Sequence, residues 1–381
     1  MTRPTYLEID LPRFRANINA IRQHVFPARI CVMLKANAYG HGVERVAPYI
    51  EPYADMLGVA LIEEGVQLRS LGIKKPILVA GGAFEEQLDQ FAKHDLRVTI
   101  SSFEILRAAE NYGRQHGTKM KVHLKIDTGM QRSGIRWYEA EPFLEESLTC
   151  SNLEIEGIYT HLANSEVPSN FQFEPNRPFS FAAEQLTRFN RVLEFYSRKN
   201  LPFPPLRHAA NSGGILNFPE SHLDMVRPGI MFYGIYPGGE SLRSVEVKPA
   251  ARWYSKLAYS KEIKAGDPVS YGSLWAAEVN ARIGTVPCGY GDGYFRLFSG
   301  KTDVLVNGRR KKQVGRICMD QFVVDLDQDA AKAGDPVILL GEDPITGECI
   351  SADELAGVIG TNAYEIMTNI SARVPRVFLE D

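Results

Sequence analysis

The stretch Ile30-Cys-Val-Met-Leu-Lys-Ala36 carries five apolar residues in a row and then a lysine. A short apolar run without alternation is what a strand needs when both its faces are covered. Seven comparable runs follow, at 56–61, 76–80, 97–100, 122–127, 155–161, 206–210 and 226–233. Helical stretches separate several of them, at 60–71, 85–93, 102–116 and 179–198. Strands alternating with helices lay helices on the faces of a parallel sheet. Eight such strands predict a (β/α)8 TIM barrel over residues 1–248.

The pattern changes at Pro249. Runs at 255–263, 281–287, 303–306 and 322–326 are broken by Gly, Pro and Asp turns, with one helix near 353–359. Residues 249–381 therefore read as a separate, mostly-β domain, and the fold class is α/β: an N-terminal TIM barrel with a C-terminal mostly-β domain. The stretch 168–178, PSNFQFEPNRP, reads as an ordered surface loop, because its aromatics argue against disorder.

Bulk properties exclude several classes. The 381 residues are 44% apolar and 23% charged, ordinary for a globular enzyme. A net charge of −3 gives no reason to expect nucleic acid or an anionic membrane as partner. The chain starts without an apolar signal segment, and no run is long enough to span a bilayer. Cys31, Cys150, Cys288, Cys318 and Cys349 are scattered, which fits free thiols in a reducing cytoplasm. The histidines show no ligand spacing, so no dedicated metal site is expected.

Reactive residues of such a barrel lie just after the C-terminal ends of its strands. Lys35 follows the first strand, in Val32-Met-Leu-Lys-Ala-Asn-Ala-Tyr-Gly-His-Gly42. Lys125 and Arg132 flank the end of the fifth, in His123-Leu-Lys-Ile-Asp-Thr-Gly-Met-Gln-Arg-Ser-Gly134. His161 ends the sixth, His208-Ala-Ala-Asn-Ser-Gly-Gly214 the seventh, and Val226-Arg-Pro-Gly-Ile230 falls at the eighth. A lysine at an apolar strand end either pairs with a barrel carboxylate or loses proton affinity and becomes an amine able to form a Schiff base. Backbone N–H groups around Ser212, Gly229 and Ile230 sit where this barrel usually binds phosphate. A lysine and a phosphate cradle in one barrel mouth suit pyridoxal phosphate. Arg227 either pairs an acid at the rim or faces the pyridine nitrogen, to which an arginine can only donate.

The β domain holds Val269-Ser-Tyr-Gly272, Cys288-Gly-Tyr-Gly-Asp-Gly-Tyr294 and Ile317-Cys-Met-Asp-Gln321. The glycine-rich run opens no helix in a βαβ unit, which excludes a dinucleotide loop. Tyrosines at such turns serve packing more often than catalysis.

Together these motifs resemble the alanine racemase family, from Leu34-Lys-Ala-Asn-Ala-Tyr-Gly-His-Gly42 through Tyr364-Glu-Ile-Met-Thr-Asn-Ile-Ser-Ala-Arg-Val-Pro-Arg376. The resemblance implies pyridoxal phosphate as cofactor, an amino-acid substrate, and a head-to-tail homodimer with shared active sites. It further implies that Lys35 is the Schiff-base lysine and one catalytic base, and that Tyr271, supplied from the other chain of the dimer, is the opposite base. By the same resemblance Tyr39, Ser212, Gly229, Ile230 and Tyr364 hold the phosphate. Arg227 meets the pyridine nitrogen with His161 as its neighbour, and Arg132 lies near the phenolate oxygen and the substrate carboxylate. Met319 binds substrate through its backbone, and Tyr290 stands at the entrance. Lys125 matches a lysine often found carbamylated, where it would hold Arg132; the alternatives are an outward-pointing lysine or a pair with Asp127. Gln131 and Ser133 depart from the family pattern, as does the long segment after His161. The expected reaction is the interconversion of L- and D-alanine, with a broader serine-type racemase, a barrel decarboxylase and a non-catalytic cofactor carrier as the competing readings. Arg227 and the Val-Ser-Tyr-Gly motif argue against the decarboxylase, and the domain beyond Pro249 against the carrier.

Overall fold

A computed structural model describes residues 3–167, 180–239 and 241–380. The chain forms two compact units: Phe14–Ala38 with Val43–Lys248, and Met1–Arg13 with Tyr39–Gly42 and Pro249–Asp381. Residues 3–13 and Tyr39–Gly42 thus group with the β unit rather than with the barrel.

The barrel unit contains the expected parallel ring. Its strands are Arg29–Met33, Met56–Val59, Ile77–Val79, Leu96–Ile100, Met120–Asp127, Leu153–Tyr159, Leu206–His208 and Met225–Val226. Each pairs in parallel with the next through the seventh, and the eighth pairs with the first. Between the seventh and eighth strands the ring closes through two backbone bonds, Asp224 N–H to Arg207 O and Arg227 N–H to Ala210 O. The strands are apolar on both faces because side chains fill the interior and helices cover the exterior: Ile30, Cys31, Val32, Leu57, Leu78 and Val98 are all fully buried. Phe14 packs on Phe232 at 4.9 Å between ring centres, and both are fully buried.

Two expectations for the barrel are corrected. The first strand stops at Met33 instead of Ala36, since residues 36–39 take positive φ and cannot extend a strand. The eighth run, expected at 226–233, is a two-residue strand followed by a 3-10 turn over Ile230–Tyr233. Pro228 and Gly229 break the ladder there. The loop reading of 168–178 lies outside the described residues.

The β unit holds a separate antiparallel pair, Pro268–Val269 with Trp275–Ala276, and a ten-stranded sheet. Its path runs Tyr259–Ile263, Ala281–Val286, Phe322–Asp327, Arg309–Val314, Asp303–Val306, Pro336–Glu342, Ala251–Lys256, Tyr6–Asp10 and Arg376–Leu379, with Cys349–Ile350 beside Pro336–Glu342. All neighbours are antiparallel except Tyr6–Asp10 and Arg376–Leu379, the first and last strands of the chain. The run expected at 255–263 is two strands, broken at Leu257 and Ala258. A second helix, Ala363–Thr368, joins Ala352–Ile359, correcting the expectation of one. Its Asn362 side chain accepts the Glu365 N–H, a helix-start signal in the sequence that the apolar pattern alone did not reveal. Among the described residues no helix is long and apolar enough to cross a membrane.

Candidate functional site

The site is built from the barrel strand ends. Two residues past the first strand comes Lys35, half-buried, and then a single left-handed turn: Ala36, Asn37, Ala38 and Tyr39 have φ of 52, 53, 53 and 51°. Left-handed helix costs a non-glycine residue about 1–2 kcal/mol, so the turn must be held from outside. Glu64 does much of this. Its Oε1 accepts the Ala36 N–H at 2.6 Å, while Oε2 takes the N–H groups of Ala60 and Leu61 at 2.8 and 3.0 Å. Asn37 Oδ1 accepts the Val43 N–H at 2.8 Å and closes the far side. Burial lowers the Lys35 pKa, Arg132 lowers it further, and Glu64 opposes them.

Lys125 reaches inward from the fifth strand and is only 5% exposed, which overturns the outward-pointing alternative. Its Nζ donates to Ser133 Oγ at 2.7 Å, and no ion pair joins it to Asp127 among the described residues. Asp127 Oδ1 is occupied by the Gly129 and Gln131 N–H groups, which shape the loop that carries Arg132. Burial first, then Arg132 and Arg227, push the Lys125 pKa down to about 8. Lys125, Asp127, Arg132, Ser133, Thr160 and His161 line one small cavity.

Arg227 is buried at the eighth strand. Nη1 donates to His208 Nδ1 at 2.7 Å, and Nη2 donates to Thr160 O at 2.8 Å, to Ala209 O at 3.2 Å and, more weakly, to His161 Nδ1 at 3.4 Å. Every one of these acceptors is uncharged. Burial and then Arg227, Arg132, Lys125 and Lys35 drive His161 well below its ordinary pKa, so it is neutral. Lys125, Arg132 and Arg227 form no ion pair with a carboxylate among the described residues. Asp127 lines the same cavity, but its Oδ1 is held by backbone N–H groups and it pairs with none of the three, so the cations outnumber the carboxylates and favour an anionic occupant.

Ser212 lies at the start of the short helix Ser212–Asn217, capped by Asn211. It is buried, and its Oγ accepts the N–H groups of Gly229 and Met231 at 3.0 and 3.3 Å. The Gly229 N–H is therefore already engaged, while the Ser212 hydroxyl keeps its own proton to donate. Gly213 is required here, because a Cβ would lie 2.5 Å from Ser165 O.

The β unit holds the remaining candidates. Tyr39 and Tyr364 are ring neighbours at 6.1 Å. Tyr271 opens a 3-10 turn, and its side chain is 72% exposed. Tyr290 and Met319 belong to two loops zipped together by Tyr290 N–H to Cys318 O and Gly291 N–H to Met319 O. Gly289 permits that approach: a Cβ would meet Cys318 O at 2.3 Å. Sequence reasoning passed over Glu64, named Ser133 only as a departure from the family pattern, and quoted His123 in a motif without a role. It quoted His208 in a motif without giving it work.

A parallel (β/α)8 barrel whose mouth gathers cations, a proton-poor lysine and a buried serine with a free hydroxyl proton defines a class of barrel enzyme that takes small anionic ligands. Comparison with known proteins narrows the class. The alanine racemase N-terminal domain profile matches residues 9–237 and the C-terminal domain profile residues 250–378. The alanine racemase of Carboxydothermus hydrogenoformans is 39% identical over 380 residues, covering 99% of this chain and 100% of that protein. Alanine racemase of Clostridium difficile superposes with a TM-score of 0.90 at 34% identity, covering 100% of this chain and 97% of that one. Alanine racemase from Bartonella henselae with covalently bound pyridoxal phosphate gives 0.88 at 27% identity, covering 99% of each chain. The chain belongs to the alanine racemase family.

Proposed function

We propose that this chain interconverts L-alanine and D-alanine with pyridoxal phosphate, acting as a head-to-tail homodimer in the cytoplasm. The observation that carries the reading is the group of Lys35, Lys125, Arg132 and Arg227 around a neutral His161. That set suits a dianionic phosphate, a phenolate and a substrate carboxylate, and the residues present fit the cofactor. Lys35 would hold it covalently. Tyr39, Ser212, Gly229, Ile230 and Tyr364 would surround its phosphate, with the Ser212 hydroxyl as donor.

When bound, pyridoxal phosphate supplies a sink for the electron pair left on the substrate α-carbon. Arg227 would donate to the pyridine nitrogen and, being an arginine, would not surrender a proton to it. Arg132 would fix the substrate carboxylate, with Met319 offering its backbone and Tyr290 standing at the entrance. Lys35 Nζ would take or return the α-proton on one face, and Tyr271 of the partner subunit would do so on the other. The lowered proton affinity of Lys35 supports its part, since an amine serves as a base only when unprotonated. The exposure of Tyr271 supports its service to another chain.

Incubation with L-alanine in deuterated water tests the reading. D-alanine should appear with deuterium at the α-carbon and without carbon dioxide. Tyr271→Phe should abolish initial proton abstraction from one enantiomer and spare it for the other. Release of carbon dioxide, or no exchange at all, would overturn the proposal.

A further inference from the structure

Behind Arg227 runs a chain of buried polar groups that the reaction described above does not use. His208 Nδ1 receives the Arg227 Nη1–H at 2.7 Å. Its other nitrogen, Nε2, lies 2.8 Å from His123 Nδ1. His123 Nε2 then points to Glu156 Oε2 at 3.9 Å, too long for a hydrogen bond, and is a buried nitrogen without a partner. Glu156 is gripped by Arg97 through two bonds of 2.9 and 3.2 Å, and Arg97 also reaches Asp95 at 3.0 Å.

Protons can be placed along this chain by elimination. Arginine only donates, so His208 Nδ1 is an acceptor. Both imidazoles are fully buried, and burial, followed by the nearby arginines, holds both far below the ordinary histidine pKa; for His123 the value falls to about 3. A neutral His208 must carry its proton on Nε2 and donate it to His123 Nδ1. His123 must then carry its own proton on Nε2, the atom facing Glu156. One donor at the site end therefore fixes both tautomers.

The fold makes room for the arrangement. Val122 pairs with Ile155 but His123 pairs with Gly157, so Glu156 is the extra residue of a β-bulge. Gly157 has no alternative, since a Cβ would sit 2.5 Å from His123 Nδ1. Tyr159 stacks on His208 at 4.6 Å with the rings 6° from parallel, preventing rotation of the imidazole.

We infer that His208 and His123 are positioning residues: a tautomer-locked imidazole pair that orients Arg227 toward the bound cofactor through an uncharged acceptor, leaving the charge of Arg227 uncompensated. A carboxylate in the place of His208 would neutralise the arginine and weaken its grip on whatever it faces across the mouth. The role in turnover rests on the racemase reading; the tautomers do not.

Imidazole 15N spectra of the holoenzyme test the pair directly. His208 and His123 should both appear as neutral Nε2–H tautomers from about pH 6 to about pH 9. An Nδ1–H tautomer or a charged ring at either position overturns the inference, whatever the enzyme's activity. His123→Phe removes the far acceptor without touching Arg227. Arg227 still donates to Nδ1, so His208 should remain the Nε2–H tautomer, but its N–H loses its acceptor and the ring its tether, and kcat should fall on the order of tenfold with KM for alanine little changed. His123→Asn, whose Oδ1 replaces Nδ1 as acceptor, should restore the hydrogen bond from His208 Nε2 and most of the turnover. A Phe variant with unchanged turnover, or one whose His208 carries its proton on Nδ1, also overturns the inference. Failure of the racemase reading would look different: the unsubstituted enzyme would show the locked tautomers and racemise nothing.

Discussion

A lysine withdrawn from water beside an arginine keeps its proton less readily than one in solution, and the mouth of this barrel holds two such lysines, Lys35 half-buried and Lys125 buried. They differ in what they meet. Lys35 precedes a turn whose backbone is pinned, so its amine is offered at a fixed place; borohydride treatment of the cofactor-loaded enzyme should fix the label on Lys35, as read by peptide mapping. A label on Lys125 instead would exchange their roles. Lys125 meets the Ser133 hydroxyl at 2.7 Å, the Ala80 carbonyl at 3.5 Å and the face of the Tyr159 ring, and pairs with no carboxylate among the described residues. Its pKa near 8 means that its ammonium is disfavoured in the fold: the penalty is complete below that pH and fades as pH climbs toward the ordinary lysine value. Carbon dioxide reacts with the neutral amine, and the resulting carbamate would give Arg132 the anion it lacks. With 13C-labelled bicarbonate, a carbamate resonance should strengthen as pH rises through about 8 and vanish in Lys125→Ala, whose activity acetate should partly restore. A fully active enzyme with plain lysine at all pH values would remove this role. Most of these side chains were legible because they break an apolar strand end with charge. His123 and His208 were not, since a histidine inside a barrel looks the same in sequence whether it is a ligand, a base or a proton-fixing support.

Among elements, the turn over residues 36–39 departs furthest from ordinary backbone. Four non-glycine residues at positive φ announce themselves by no local propensity, so the sequence reads as a strand running on to Ala36. The structure bends there because distant groups outweigh the local cost, chief among them a glutamate whose two oxygens serve two consecutive strand ends. Glu64→Ala should leave those N–H groups without their acceptor and lower the unfolding free energy by about 1–3 kcal/mol, seen as a shift in the urea midpoint. It should also reduce cofactor occupancy, because the Lys35 amine would lose its fixed place. An unchanged midpoint would mean that water replaces the carboxylate without loss. The eighth strand was misjudged for a related reason. The run at 226–233 is apolar enough for a strand, but Pro228 and Gly229 turn it after two residues, and the bend delivers the Met231 N–H to Ser212. Hydropathy reports what is buried and is blind to direction when a buried segment doubles back.

For the whole molecule, the candidate residues divide between two units: Lys35, Arg132, Ser212 and Arg227 in the barrel, Tyr271, Tyr290, Met319 and Tyr364 in the β unit. If active sites are shared between protomers, Lys35→Ala and Tyr271→Phe, each inactive, should regain part of the activity when their subunits exchange, because a mixed dimer holds one intact site. No recovery, with exchange shown independently by mass, would place both residues of each site in one protomer. The strand at Tyr6–Asp10 has a consequence of another kind. It pairs on one side with Ala251–Lys256 and on the other with Arg376–Leu379. Tyr6–Asp10 therefore waits for Arg376–Leu379, which is translated long after it. At ~5–20 residues per second the delay is roughly 20–70 s, long enough for the barrel segment to fold while still attached to the ribosome. The β unit, by contrast, is completed only once Arg376–Leu379 is made, and loss of that segment would strip a neighbour from Tyr6–Asp10.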